Sequence, residues 1–404
     1  MFRAYRYQLD PNATQRQFFA RAFGSARYIY NWSLEQRIKA YREEKKRLTT
    51  YDLCKLLTPL KNEDGKEWLY ETPNVCLQQA IRNMDSAFTR FFREKKGFPR
   101  FRNKDGRQRI QFINNVEVDF EASKIKLPKI GCVRIHNPRR FEGKMGTVTV
   151  SKNAAGKYFV SILVHTTDPV PEKRPINEAT AVGVDVGLKE FAVLSNGARI
   201  ANPRHYQNNE KRLAVLQRRL CRKVNGSNRR RWAKLAVAKC HYRIASQRND
   251  FLHKLTSQLV KNHDSIVIED LNVAGMLKNH CLAKHISSAS WSEFFRQLEY
   301  KCEWNGKNLL RIGRFEPSSR LCTCGFVNRE LTLKDRTWKC PSCGEVHDRD
   351  LLAARNIKML GLEKTNLIGQ VSGAVSAVED VEAPALAGSV KRQVNIDITL
   401  KSCC

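Results

Sequence analysis

Acidic side chains are what this sequence lacks most. Its 40 Asp and Glu face 72 Lys and Arg, which leaves a formal charge of +32 on 404 residues. A merely solvated basic face seldom reaches such an excess, so the charge points to a polyanion. Nucleic acid comes first, because neutralising phosphates releases counterions and gives strong, salt-dependent affinity. An anionic membrane surface is the alternative, but no apolar run is long enough to span a bilayer. The opening Met1-Phe-Arg-Ala-Tyr-Arg-Tyr7 also lacks the apolar core of a signal peptide. There is no Walker loop, no Gly-x-Ser-x-Gly and no His-Glu-x-x-His, so nothing suggests covalent catalysis. Thirteen cysteines without a secretion signal fit a reducing compartment. The expected location is the cytoplasm, at the nucleoid. Seven cysteines (54, 76, 132, 221, 240, 281 and 302) stand alone and read as small buried or half-buried hydrophobes. Cys403 and Cys404 read as exposed thiols. Residues 361–404 contain no aromatic and no clear period, so a largely disordered tail is expected there.

What is present divides the chain by texture. A strand is expected over Phe2–Leu9, then helices over 14–47, 50–61 and 74–96, with apolar residues at helical spacing. From Val116 the pattern changes to strands: 116–120, 125–127, 147–150 and 158–164, the last two joined by Asn153-Ala-Ala-Gly156. This predicts a β-barrel with an inserted helical lobe, closed off by the proline-rich Asp168–Pro175. Beyond it the pattern is α/β. Strands are expected at 181–185, 190–194, 198–200, 265–268 and 309–312. A very basic helical stretch over 211–248, broken near Asn225, and helices at 290–305 and 350–360 complete it.

Two features in this half suggest chemistry. Cys322-Thr-Cys324 and Cys340-Pro-Ser-Cys343 bring four thiols in two close pairs, enough to bind one Zn²⁺. Three carboxylates stand at element ends: Asp185 after an apolar strand, Glu269 after another, and Asp350 at the start of the last helix. Such a set can hold two Mg²⁺ roughly 4 Å apart on a scissile phosphate. Asp270 competes with Glu269 and Asp348 with Asp350. Neighbours on a strand point to opposite faces, so only one of 269 and 270 can join. The residues by themselves do not say which.

Gly183-Val-Asp185-Val-Gly187-Leu, Val267-Ile-Glu269-Asp270-Leu271 and His347-Asp-Arg-Asp350-x-x-Ala-Ala-Arg-Asn-Ile357 resemble the three RuvC motifs of TnpB (OrfB) proteins. These are encoded by bacterial insertion sequences and are related to type V CRISPR effectors. The resemblance spans nearly the whole chain, including Tyr5-Arg-Tyr-x-Leu-x-Pro11, Gly97-Phe-Pro-Arg-Phe101 and Phe315-Glu-Pro-Ser-Ser-Arg320. It implies Asp185, Glu269 and Asp350 as the catalytic, Mg²⁺-holding residues, and a structural Zn²⁺ on Cys322, Cys324, Cys340 and Cys343. It implies an RNase H-like (RuvC) nuclease domain over 178–316 and 346–360, interrupted by a zinc knuckle over 317–345. Before these it implies a wedge-like β-barrel (1–10 and 116–170), an inserted recognition lobe (11–115) and a linker (171–177). Two departures stand out: Cys-x-Cys where the pattern has Cys-x-x-Cys, and Leu352 where it has Asn.

The implied activity is RNA-guided, Mg²⁺-dependent cleavage of DNA beside a short motif. The partners would be a guide RNA from the element's end and double-stranded target DNA, with monomer or dimer left open. A nuclease-inactive guided repressor and an unguided transposition-associated DNA-binding protein are the rival readings. For nucleic-acid contact the candidates on the basic helices are Arg218, Arg219, Arg222, Arg229, Arg230 and Arg231. In the first lobe they are Gln78, Gln79, Arg82, Arg100 and Arg102, since Gln can read adenine bidentately.

Overall fold

The fold is taken from a computed structural model. It describes residues 1–374 except 168, 333 and 334, with side chains of the last helix described to Thr365. Strand β1 (Phe2–Asp10) leads into helix α1 (Ala13–Glu44). That helix starts where Asn12 and Gln15 cap each other's backbone N–H groups, and it stops at Lys45 in the left-handed conformation. Helix α2 (Thr50–Lys61) begins with the same reciprocal device, from Thr49 and Asp52. Helix α3 (Asn74–Arg93) follows.

Six more strands complete the first sheet: β2 (Gln108–Phe112), β3 (Glu117–Asp119), β4 (Lys124–Leu127), β5 (Gly131–His136), β6 (Lys144–Lys152) and β7 (Tyr158–His165). Their order is β2-β6-β7-β1-β5-β4-β3, antiparallel throughout. The expected barrel is realised in part, as a curled half-barrel sheet. The sheet stays open, because β2 and β3 end it on opposite sides and are not hydrogen-bonded to each other. Strand β2 lies inside the stretch 11–115 and nevertheless pairs with β6. One continuous core joins this sheet to α1, α2 and α3.

The second half holds a five-stranded sheet: β8 (Ala181–Val186), β9 (Glu190–Leu194), β10 (Arg199–Ala201), β11 (Ser265–Glu269) and β12 (Asn308–Ile312). In the order β10-β9-β8-β11-β12, the first three are each antiparallel to the next, while β11 and β12 run parallel to β8. Helices α4 (His205–Cys221) and α5 (Asn228–Asn262) connect β10 to β11, separated by the turn at Asn225-Gly226. The short α6 (Val273–Met276) and α7 (Ala283–Ala289) precede α8 (Trp291–Trp304), which returns to β12. Helices α5 and α8 cover one face of the sheet. A hairpin, β13 (Thr337–Lys339) and β14 (Val346–Asp348), leads into α9 (Arg349–Ala374), which covers the other face.

Two expectations need correction. Residues 361–374, read as the start of a disordered tail, continue α9, and the rest of that tail lies outside the described residues, with Cys403 and Cys404. Cys132, Cys221 and Cys281 are exposed rather than buried or half-buried, since they sit near a strand start, at a helix end and in a turn, respectively. No helix among the described residues is long and apolar enough to cross a membrane.

Candidate active site and metal centre

The open choice between Glu269 and Asp270 is a question of strand faces. Val184 lies opposite Ile268 on parallel neighbours, so Asp185 and Glu269 come next, side by side at the same strand ends. Ile266 and Ile268 pack beneath α5 and α8. Val267 packs beneath α9 with Ile312 and Ile357. Alternation therefore puts Gly183, Asp185, Val267 and Glu269 on the α9 face. Asp270 falls beyond the strand, exposed, with Arg314 Nη2 donating to its Oδ2 at 3.4 Å.

Helix α9 reaches that face because two glycines let it. A Cβ at Gly183 would stand 2.1 Å from the Ala354 carbonyl oxygen and 2.7 Å from the Lys358 nitrogen. A Cβ at Gly361 would stand 2.3 Å from Val267 Cγ1. The helix thus lies almost on the backbone of β8, and its first turn carries Asp350, where the helix dipole favours a carboxylate. Asp348 is turned to other partners. It accepts from Leu351 N at 3.0 Å, as a cap, and from Arg199 Nη2 at 2.9 Å.

Electrostatics joins the three carboxylates. Burial raises the Asp185 pKa most, and the negative charges of Glu269 and Asp350 raise it further. Arg349 and Arg336 oppose them, and the carboxyl is pushed up to about 8. Glu269 accepts from Ser318 Oγ at 2.6 Å, and Asp350 accepts from Arg336 Nη1 at 3.2 and 3.3 Å. Among the described residues these three do not form a set of ligand atoms all within 4.8 Å. Like charges repel, and Glu269 and Asp350 each turn to a donor of their own. The donor set is nevertheless the hard, anionic oxygen set that suits Mg²⁺, and a divalent cation would relieve the repulsion concentrated on Asp185.

The four knuckle thiols do form such a set, all within 4.8 Å of one another. Cys322 and Cys343 sulfurs are 3.5 Å apart, and those of Cys324 and Cys340 are 3.7 Å apart. A tetrahedral zinc site with bonds of about 2.3 Å has sulfur–sulfur edges of ~3.8 Å, so the thiols fit that ion. Each pair is closed by a glycine at positive φ: Gly325 N donates to Cys322 O, and Gly344 N to Cys340 O. This is how the shorter Cys-x-Cys still turns both sulfurs inward. Leu352, the other departure, is buried against Cys322, Leu331, Trp338 and Cys340. An apolar residue there fastens α9 to the knuckle.

Three family models match in chain order: one described as "Helix-turn-helix domain" over 1–46, one as "Probable transposase" over 161–280, and one as "Cas12f1-like, TNB domain" over 291–357. The first of these stretches forms one strand and one helix here. A Streptomyces pristinaespiralis protein named "Putative RNA-guided DNA endonuclease" is 39% identical over 365 residues, covering 89% of each chain. The chain belongs to the TnpB (OrfB) family. Escherichia coli K12 has a further relative, "Putative RNA-guided DNA endonuclease InsQ", 33% identical over 89% of this chain and 92% of that one. Cas12f1, solved in a complex with guide RNA and target DNA, has the same overall fold at 12% identity. Its TM-score is 0.53, with 89% of this chain and 98% of that one covered.

In this TnpB-family chain the basic candidates separate into free and engaged side chains. Arg218, Arg219, Arg222 and Arg229 are exposed and in no ion pair among the described residues. Arg230 instead donates to the carbonyls of Leu220 and Lys223 at 3.0 Å each, fastening the end of α4 to the start of α5. Arg231 is exposed and bonded to Asn228 at 3.2 Å. In the lobe, Arg82 and Arg100 are exposed, while Gln78 and Gln79 are half-buried. Arg102 lies 3.4 Å over the Tyr30 ring with its backbone clamped by Asn31, at 2.8 and 2.9 Å. Burial lowers its pKa.

Sequence reasoning missed Ser318, Asn356 and Arg336. Asn356 is buried and donates to the carbonyls of Ser318 and Leu321, at 2.7 and 2.6 Å. It thereby fixes the loop whose Ser318 hydroxyl holds Glu269. Asn356 and Ser318 both stand inside stretches that carry the resemblance, but nothing in those stretches marks their roles.

Proposed function

We propose that this chain is an RNA-guided DNA endonuclease of the transposon-encoded TnpB type, cutting target DNA beside a short adjacent motif by metal-assisted phosphodiester hydrolysis. The convergence of Asp185, Glu269 and Asp350 on the α9 face carries this reading. The relatives' names, the +32 charge and the four unpaired arginines along α4 and α5 support the polyanionic partners. The strand order, three antiparallel strands followed by two parallel ones, supports an RNase H-like nuclease sheet. The first sheet would be the wedge, and α1 to α3 the recognition lobe.

Two Mg²⁺ held by the three carboxylates would stabilise the attacking and leaving oxygens of the scissile phosphate. The protein's own part is positional. Asp185 must give up its proton to act as a ligand, Ser318 aims Glu269, and Arg336 must release Asp350. A zinc ion on the four thiols would brace the loop that leads into α9.

The test is to purify the protein expressed with its flanking DNA, sequence the co-purifying RNA and assay Mg²⁺-dependent cleavage of a matching duplex. One discrete RNA and guided cutting are expected. Asp185→Ala should abolish cutting and keep RNA binding. Random cellular RNA after a high-salt wash would sink the guided reading.

A further inference from the structure

A fifth donor stands beside the four thiols. His347 Nε2 lies 3.0 Å from Cys322 Sγ, with both residues buried. Its other ring nitrogen faces Glu345 at 3.8 Å, and its ring packs 4.8 Å from that of Trp338, its partner across the β13–β14 pair. Among the described residues, His347 groups with Cys322 and Glu345, apart from the four-thiol set. A ligand to the same ion would lie close to several of the sulfurs, and four thiolates already fill a tetrahedral zinc site.

The sulfurs have unequal surroundings. Cys324 and Cys343 are exposed, whereas Cys322 and Cys340 are buried. A zinc ion with four thiolates carries a net charge of about −2. Water can solvate the exposed sulfurs, but a buried thiolate needs a protein donor. At Cys322 the ring nitrogen within reach is His347 Nε2, at 3.0 Å.

We propose that His347 is a positioning residue of the zinc centre, its Nε2–H donating to the Cys322 thiolate. This requires a proton on Nε2. It also ties the metal to the active site by a very short stretch of chain. His347 is followed at once by Asp348, the cap of α9, and then by Asp350 in its first turn. The same hairpin holds Arg336, whose carbonyl accepts from Arg349 N at 2.8 Å and whose guanidinium holds Asp350. Zinc occupancy thus sets the position of Asp350 through His347.

The inference rests on the zinc reading of the knuckle, and the experiment separates the two. Zn²⁺ affinity is measured by competition with a chromophoric chelator, and the site is then loaded with Co²⁺ for absorption spectroscopy. Wild-type, His347→Ala and His347→Gln proteins are compared. If the wild type takes up neither ion, the zinc reading fails. If it does, His347→Ala should bind zinc about 10–100-fold more weakly. It should keep the spectrum of four sulfur ligands but shift the thiolate-to-cobalt charge-transfer bands to lower energy, because a thiolate that loses an N–H donor becomes more electron-rich. His347→Gln, which keeps a donor, should recover part of both effects and covers the case of an Ala variant that fails to fold. Unchanged affinity and bands in the variants would overturn the proposal. A change in the number of sulfur and nitrogen ligands would also overturn it, making His347 a ligand instead.

Discussion

The two halves of the molecule bury their apolar residues differently. The first sheet and its helices share one continuous core, running from Tyr7 to Val164. The second half is divided into four clusters: under α5 and α8, between α4 and α5, beneath α9, and inside the knuckle. The gaps between the last clusters hold Asp185, Glu269, Asp350, Ser318, Asn356 and His347. A single core suits a scaffold. A core interrupted by directed polar contacts suits a site, because carboxylates that must meet a cation cannot be packed in hydrocarbon. The first half should therefore answer mutation mainly through stability, and the second through activity and metal binding.

The sharpest break of that contrast is Asp185→Asn. It removes one of three mutually repelling carboxylates and keeps the shape. Losing a metal ligand costs several kcal/mol in the transition state, so cleavage should fall on the order of 10³-fold. The metal-free protein should be no less stable than wild type at pH 8. A variant that cuts normally would remove Asp185 from the site.

Next in size is Gly183→Ala. Its Cβ would meet backbone atoms of α9, which cannot rotate away, and overpacking of this kind costs about 2 kcal/mol. Cleavage should drop with stability, since Asp350 moves with the helix. Gly97→Ala in the first half has nothing within 4 Å of its Cβ and should change stability by less than about 0.5 kcal/mol. Thermal unfolding and cleavage rates of the two variants check this pair, and equal effects would break the comparison.

A smaller effect is the pH response. The Asp185 carboxyl is pushed up to about 8 in the fold, from an ordinary value of 3.8. Between those values the folded metal-free protein holds more protons than the unfolded chain at this group. Its contribution to stability is full below pH 3.8 and is lost as the pH rises towards 8. Melting temperature against pH should show this falling component in EDTA, and Asp185→Asn should lack it. Because a metal must displace the same proton, apparent Mg²⁺ affinity should rise with pH through 8. A flat Mg²⁺ affinity would contradict the shift.

The sequence showed more of the helices than of the sheet pairing. Apolar spacing placed α1, α2, α3 and α8 to within a few residues, and Ile266-Val-Ile268 read as a buried strand. Short edge strands such as β2, β13 and β14 left no clear period. Whether the first sheet closed depended on β2 and β3, whose pairing is not a local property. The tail looked structureless from 361 onwards, because α9 lacks aromatics there. At the site, Asp185 was legible as a strand-end carboxylate. The residue pattern alone left Glu269 and Asp270 open; the resemblance pointed to Glu269, and the packing of Val267 beneath α9 puts Glu269 on that same face. Ser318 and Asn356 act across 49 and 38 residues of chain, so their roles exist only in the folded state.

Ser318→Ala is the finest test of the contrast, because it asks whether a single hydroxyl in the divided half matters to chemistry more than to folding. The Ser318 Oγ to Glu269 bond is charge-assisted and only partly buried, so its loss should cost about 1 kcal/mol of stability. Glu269 would remain on its strand, held by β11 pairing with β8 and β12, but its carboxylate would lose its aim. A loosened ligand should weaken Mg²⁺ binding and lower the cleavage rate by roughly tenfold at limiting Mg²⁺. Saturating Mg²⁺ should restore most of the rate, since the cation itself can then order the carboxylate. A Mg²⁺ titration of cleavage reads this directly. If the rate falls equally at all Mg²⁺ concentrations, Ser318 acts on something other than ligand position. If only stability changes, the hydroxyl belongs to the scaffold, and the division between the two halves is less complete than their cores suggest.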